Sequence, residues 1–221
     1  MTESVQDLVR LAQIRSGVHP PQLGFTKLDL PKLDTFETAV TFSPQCDPIA
    51  AHEELMHVFG QKAGTGRFLF CADSAVAGRY WVRSVVPWRG APAGAISALA
   101  PKRVVTQLAE GLMYHFSLAV CDGETTIADG RKLVVPFPTP TDYEHWFNAN
   151  AGEFGVKPLL VSASLRTLRF QHEGTWFRVE HGLVEGALEV ADTERLMRRL
   201  LRGFGSHRRL GLGMLKLQTQ S

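Results

Sequence analysis

Cysteine is scarce in this sequence. There are three in 221 residues, Cys46, Cys71 and Cys121, with no CxxC pair, no HExxH and no paired His/Cys spacing. That excludes a disulfide scaffold and leaves a zinc site without ligands at the usual intervals. The thiols stand in or beside apolar segments such as Phe68-Leu69-Phe70-Cys71 and read as buried and reduced. No metal and no cofactor is expected. Long apolar runs are missing too: none approaches the roughly 20 residues that span a bilayer. The N-terminus also lacks the basic-then-apolar order of a signal peptide, so the expectation is a cytoplasmic chain with no membrane contact. Net charge is only +2, but acid is missing from one region. After Glu194 there is no Asp or Glu, while Arg195, Arg198, Arg199, Arg202, Arg208, Arg209 and Lys216 supply seven cations. The first sixty residues have the opposite bias, eight acidic groups against four basic ones. Basicity confined to one region implies a defined face for a polyanion. Arg195, Arg198, Arg199 and Arg202 fit the solvated side of an amphipathic helix equally well.

What the basic region does have is glycine, in the run Gly203-Phe204-Gly205-Ser206-His207-Arg208-Arg209-Leu210-Gly211-Leu212-Gly213. Gly203, Gly205, Gly211 and Gly213 allow backbone N–H groups to approach a phosphate with no Cβ in the way. Arg202, Arg208 and Arg209 supply countercharge, and His207 can carry a proton or contact RNA. A dinucleotide or P-loop site sets its glycines after a strand and before a helix. Here the helical pattern comes first, so the loop leaves a helix C-terminus, whose partial negative charge repels anions. The order argues against a nucleotide cofactor and for an Arg-supported contact with a nucleic-acid backbone. The competing reading is a helix cap followed by close helix–strand packing.

Residues 1–34 hold a short helical pattern (Val5, Leu8, Val9, Leu11, Ile14) and a proline-rich stretch, and read as an accessory segment. Phe36 to Phe42 alternates like a half-buried strand, and Asp47-Pro48 opens a helix running to Phe59. Arg67 to Ala72 and Arg79 to Val86 read as strands, Ala91 to Ala100 as a weak helix and Arg103 to Leu108 as a strand. A similar order follows: strand 112–120, helix 142–151, paired strands 160–171 and 175–190, helix 193–202 and strand 212–217. Arg131 to Phe137 adds a strand beside the first of these. Two ferredoxin-like units in tandem, an α+β fold, account for this order: 35–110 and 111–221.

Gly-Phe-Gly, five residues and then Gly-Leu-Gly-Met-Leu, closing a second ferredoxin-like unit, resembles the repeat-associated RNA-binding superfamily of CRISPR systems. The closest likeness is to the RNA-processing endoribonucleases of the CasE type. It runs from about Phe36 to Leu217, with a shorter echo at Ala51 to Phe59. The first 34 residues lie outside it and point to a divergent branch, such as the processing enzymes of type IV systems. The resemblance implies metal-independent cleavage of the repeat in precursor CRISPR RNA, by attack of a ribose 2′-OH on the adjacent phosphate. The products are a 2′,3′-cyclic phosphate and a 5′-OH. It also implies retention of the 3′ stem-loop of the mature guide and partnership with effector-complex subunits.

By the same resemblance the catalytic histidine is His52. The tyrosine that assists one turn earlier in some relatives is Ile49 here. Helical spacing alone puts His52 beside Ile49, Leu55, Met56 and Phe59, on a face that fits a core histidine as well as a catalytic one. His57 falls on the solvent side. Lys102, Arg103, Arg131, Lys132, Arg166 and Arg169 are further cations for an RNA backbone, each alone equally an ordinary surface charge. Trp81, Trp88, Trp146 and Trp176 have apolar neighbours and are expected to pack rather than stack on bases. A non-catalytic RNA-binding subunit of the same fold is the alternative.

Overall fold

The computed structural model describes residues 31–59, 68–73, 75–88, 90–128 and 131–219. The helical pattern expected at Val5 to Ile14 lies outside them. The first half is built on β1 (Lys32–Phe42), which starts four residues before the alternation at Phe36 and buries Leu33, Ala39, Val40 and Phe42. Asp47 then caps α1 (Pro48–Phe59): its Oδ1 accepts the backbone N–H of Ile49 at 2.8 Å and of Ala50 at 2.9 Å. Pro48, in the first turn, forfeits no intrahelical bond. Pro48, Ala51, Leu55 and Phe59 form the buried stripe of the helix.

β2 (Phe68–Ala72) and β3 (Arg79–Ser84) pair antiparallel, and β3 pairs with β1. The other side of β1 is shared. β4 (Ala95–Ala98) takes its end at Val40 to Phe42, and β5 (Lys102–Gln107) takes Lys32 to Glu37. The weak helix expected over Ala91 to Ala100 is therefore wrong: the segment carries a strand. Small residues give little helical drive, and β1 offers unpaired backbone groups. Leu99 N–H donates to the Ala39 carbonyl at 2.9 Å, and Thr38 Oγ1 donates to the Leu99 carbonyl at 2.6 Å.

The second half contains β6 (Met113–Val120), β7 (Gly123–Ala128), β8 (Arg131–Pro136), α2 (Pro140–Phe154), β9 (Val156–His172), β10 (Thr175–Val190), α3 (Thr193–Arg202), a 3₁₀ turn at Arg208–Leu210 and β11 (Lys216–Thr219). Its main sheet runs β11-β6-β10-β9, all antiparallel, which repeats the β4-β1-β3-β2 order of the first half. The chain is thus two ferredoxin-like units, as the order of elements suggested. Two details differ from expectation. β8 does not lie beside β6 but pairs with β7 in a separate two-stranded ribbon. The chain leaves β6 at Gly123, where a Cβ would collide with the Val135 backbone, so the close approach that starts the ribbon requires glycine. The last strand begins at Lys216 rather than Leu212, because Leu212, Met214 and Leu215 are buried as an irregular segment.

β9 and β10 form a hairpin of 17 and 16 residues, turned at Glu173-Gly174, both with positive φ, as a two-residue hairpin turn requires. β6 pairs with β10 only over Gly182 to Glu189. Residues 166–172 and 175–181 therefore pair with each other alone, and the arm projects past the sheet. The halves meet through Leu33, which enters the second core, and through Arg83, whose Nη1 donates to the Leu215 carbonyl at 2.8 Å. A cleft of about 370 Å³ between them is lined by Glu37, Trp81, Arg83, Met214 and Lys216, among others.

Candidate cleavage site and nucleic-acid interface

Asp192 caps α3, Leu196 and Leu200 bury its apolar side, and the N–H of Gly203 (φ 83°) returns to the Arg199 carbonyl at 2.7 Å. The glycine segment is pinned at its base. Phe204 is fully buried, its N–H bonds the Gly213 carbonyl at 2.9 Å, and Gly213 N–H bonds the Ala119 carbonyl at 2.7 Å. Ser206 donates to the Cys121 carbonyl through both its N–H and its hydroxyl, each at 2.8 Å. Gly203, Gly211 and Gly213 are buried and Gly205 is half-buried. A Cβ at Gly205 would strike Val120, and one at Gly211 (φ 77°) would stand 3.2 Å from the Phe70 ring. These glycines let the loop lie flat on the protein and leave the cations at its crest exposed.

The two arginines at the crest have different work. Arg208 Nη1 donates to the Arg202 carbonyl at 2.6 Å, so it occupies the negative end of α3 that would otherwise repel an anion. Arg209 has no acidic partner among the described residues, and its charge bears on His52. His52 opens the second turn of α1 and is half-buried, with ring centroids of Phe68 and Phe70 at 5.6 and 5.9 Å. Its pKa is pushed below the ordinary histidine value, first by desolvation and then by Arg209, against an opposing pull from Glu53. The 3₁₀ turn packs on α1 and β2. An imidazole from the first half and a guanidinium from the last thus share one neighbourhood, with the imidazole held neutral.

His207 is exposed on the loop in a left-handed conformation (φ 59°), its Nδ1 3.0 Å from Ser206 Oγ. Ile49, at the place the resemblance gives to an assisting tyrosine, is half-buried. The other expected cations are not gathered here. Lys102 and Arg103 lie on β5, at the sheet edge opposite β2, and Arg103 is paired with Asp34. Arg131 and Lys132 lie on the β7–β8 ribbon. Arg166 stands opposite His181 and Arg169 opposite Arg178 in the long hairpin; Arg166, Arg169 and Arg202 are exposed. Trp88 and Trp146 pack against the cores and Trp81 donates to Asp73, but Trp176 is 72% exposed.

One residue escaped the sequence. His172, the last of β9, places Nδ1 3.1 Å from Asp47 Oδ2, and that contact raises its pKa. Its only signal is the register of the hairpin, which local pattern does not contain. Among the described residues, no three His, Cys, Asp or Glu side chains are grouped as metal ligands, and no helix is long and apolar enough to cross a membrane.

A family model described as "CRISPR associated protein" matches residues 33–219. The CRISPR-associated endoribonuclease Cse3 of Thermus thermophilus is 28% identical over 143 residues, which is 59% of this chain and 67% of that protein. Among solved structures, Thermus thermophilus Cse3 bound to an RNA representing a pre-cleavage complex aligns with a TM-score of 0.66 and 20% identity, over 84% of this chain and 99% of the other. Cas6e from Escherichia coli K-12 aligns with a TM-score of 0.68 and 19% identity, over 85% of this chain and all of the other.

Proposed function

The chain belongs to the CRISPR-associated protein family, and we propose that it is an endoribonuclease that cuts precursor CRISPR RNA within the repeat and keeps the 3′ stem-loop of the mature guide. The observation that carries this reading is the packing of the turn that bears Arg209, from the second half, on the helix that bears His52, from the first, close enough for the charge of Arg209 to bear on His52. A relative named as an endoribonuclease, with a solved RNA complex of the same fold, supports it. Residues 35–110 then supply the base and 111–221 the face that holds RNA, as one subunit of a guide-bound effector assembly.

His52 is neutral near pH 7 because burial and Arg209 both disfavour its protonated form. A neutral imidazole accepts the proton of the ribose 2′-OH, and the freed oxygen attacks the adjacent phosphorus. Arg209 faces the charge that grows on the phosphorane oxygens, where an oriented cation lowers the barrier most. The P–O5′ bond breaks, leaving a 2′,3′-cyclic phosphate and, after proton return, a 5′-OH. His207, exposed on the same loop, is the candidate donor of that proton. Arg202, Arg208 and Arg166, with Lys102, Arg103, Arg131 and Lys132 farther out, track the backbone of the stem.

The half-burial of His52 and Ile49 in place of tyrosine favour a second reading, an RNA-binding subunit that does not cut. Incubation with the cognate repeat in EDTA separates the two. The nuclease yields 2′,3′-cyclic phosphate ends, and His52→Ala lowers the single-turnover rate by about 10²–10⁴-fold while stem affinity is kept. Tight binding with no cleavage by the wild-type protein selects the second reading.

A further inference from the structure

The projecting arm of the second half ends on the helix that carries His52. Asp47 makes this joint with one carboxylate. Oδ1 accepts the first-turn N–H groups of Ile49 and Ala50, and Oδ2 takes His172 from the tip of β9, 125 residues away. Capping α1 needs only the first oxygen. The second is committed to an arm that, over residues 166–172 and 175–181, has no other strand partner. From Asp47 to His52 is little more than one helical turn, so a shift of the cap turns the imidazole.

We propose that His172 is a positioning residue for cleavage: by holding Asp47 it fixes the first turn of α1, aims His52, and couples both to the β9–β10 arm. This rests on His52 being the base.

The surroundings of His172 fit the role. Asp47 and Glu53 face it from α1, Glu173 adjoins it at the turn and the Phe177 ring lies 6.5 Å away on β10, so the charged groups around it are all acidic and favour the imidazolium. Its folded pKa is raised, so the charged bridge is complete below the ordinary histidine value and is lost as pH rises through the raised one. His52 is shifted the other way and becomes a base above its lowered value. Between the two values the helix carries a neutral base and a charged tether together.

The test compares His172→Gln, His172→Lys and Asp47→Asn, the last keeping a capping oxygen without the charge. His172→Gln should lower the single-turnover rate at saturating repeat RNA roughly tenfold, less than the about 10²-fold loss that a misplacement of about 1 Å can cause. RNA affinity should stay within about twofold, because the tether acts on α1 rather than on the ligand. The alkaline limb of the pH–rate profile should keep only the part that follows the proton donor in His172→Gln, and His172→Lys should restore the rate with the removed part moved to higher pH. Asp47→Asn combined with His172→Gln should cost no more than either alone. Independently of turnover, amide exchange at Ile49 and Ala50 should quicken in His172→Gln. Wild-type rate, pH profile and amide exchange in His172→Gln would overturn the proposal, as would a loss confined to RNA affinity. His52→Ala separates the two failures. If it cuts at the wild-type rate the base assignment falls. If it is inactive while His172→Gln matches wild type, only the positioning role falls.

Discussion

The two halves share one strand order and differ in how they complete it. The second half is a full βαββαβ unit: α2 and α3 both pack on its sheet, with Phe147, Phe154, Leu196 and Leu200 in one core. The first half has α1 alone over its sheet among the described residues, and β4 and β5 share the flank of β1 where one strand usually suffices. The 3₁₀ turn of the other half rests against α1 and β2, with Gly211 on the Phe70 ring. His52, the proposed base, and Arg209, its proposed cation, come to share a neighbourhood where this turn rests on α1.

If that contact makes the site, damage to it should exceed damage elsewhere. Arg209→Ala removes the cation while leaving the fold of both halves, and should lower the single-turnover rate about 10²-fold, against a smaller loss of affinity and a flatter salt dependence. An unchanged rate would detach the glycine loop from the chemistry. Arg208→Ala should act on stability instead. Losing the contact with the Arg202 carbonyl should cost about 1 kcal/mol, seen as a lower urea midpoint, with a lesser effect on rate than Arg209→Ala. Arg103→Ala, at the far edge of the first sheet and already tied to Asp34, should change cleavage by less than about twofold. Equal losses at Arg103 and Arg209 would mean a diffuse electrostatic face and no built site.

Much of this was legible in the chain. Asp47-Pro48 announced the start of α1 and Gly203 the end of α3, because caps are local chemistry. The strand alternations were enough to expose the repeated order, hence the fold. What escaped depended on pairing over long separations. Ala91 to Ala100 became a strand because β1 had an open edge, and β8 left β6 for a ribbon partner that begins at Gly123. At the site, His52 and Arg209 were each nameable, and the tertiary packing that carries the chain from α3 across β2 decides that they meet. His172 had no signal, because only the length and twist of a 17-residue strand decide what its last residue touches. The glycine run fits either a phosphate cradle or a helix cap with close packing, and in the structure the glycines pack on Val120, Phe70 and the loop itself.

The meeting of His52 and Arg209 is the claim on which the rest stands, and an NMR titration of the His52 imidazole in wild type and in Arg209→Ala tests it most directly. The account predicts a midpoint below the ordinary histidine value in the wild type that rises when the guanidinium is removed. An ordinary midpoint, unmoved by the substitution, would contradict it.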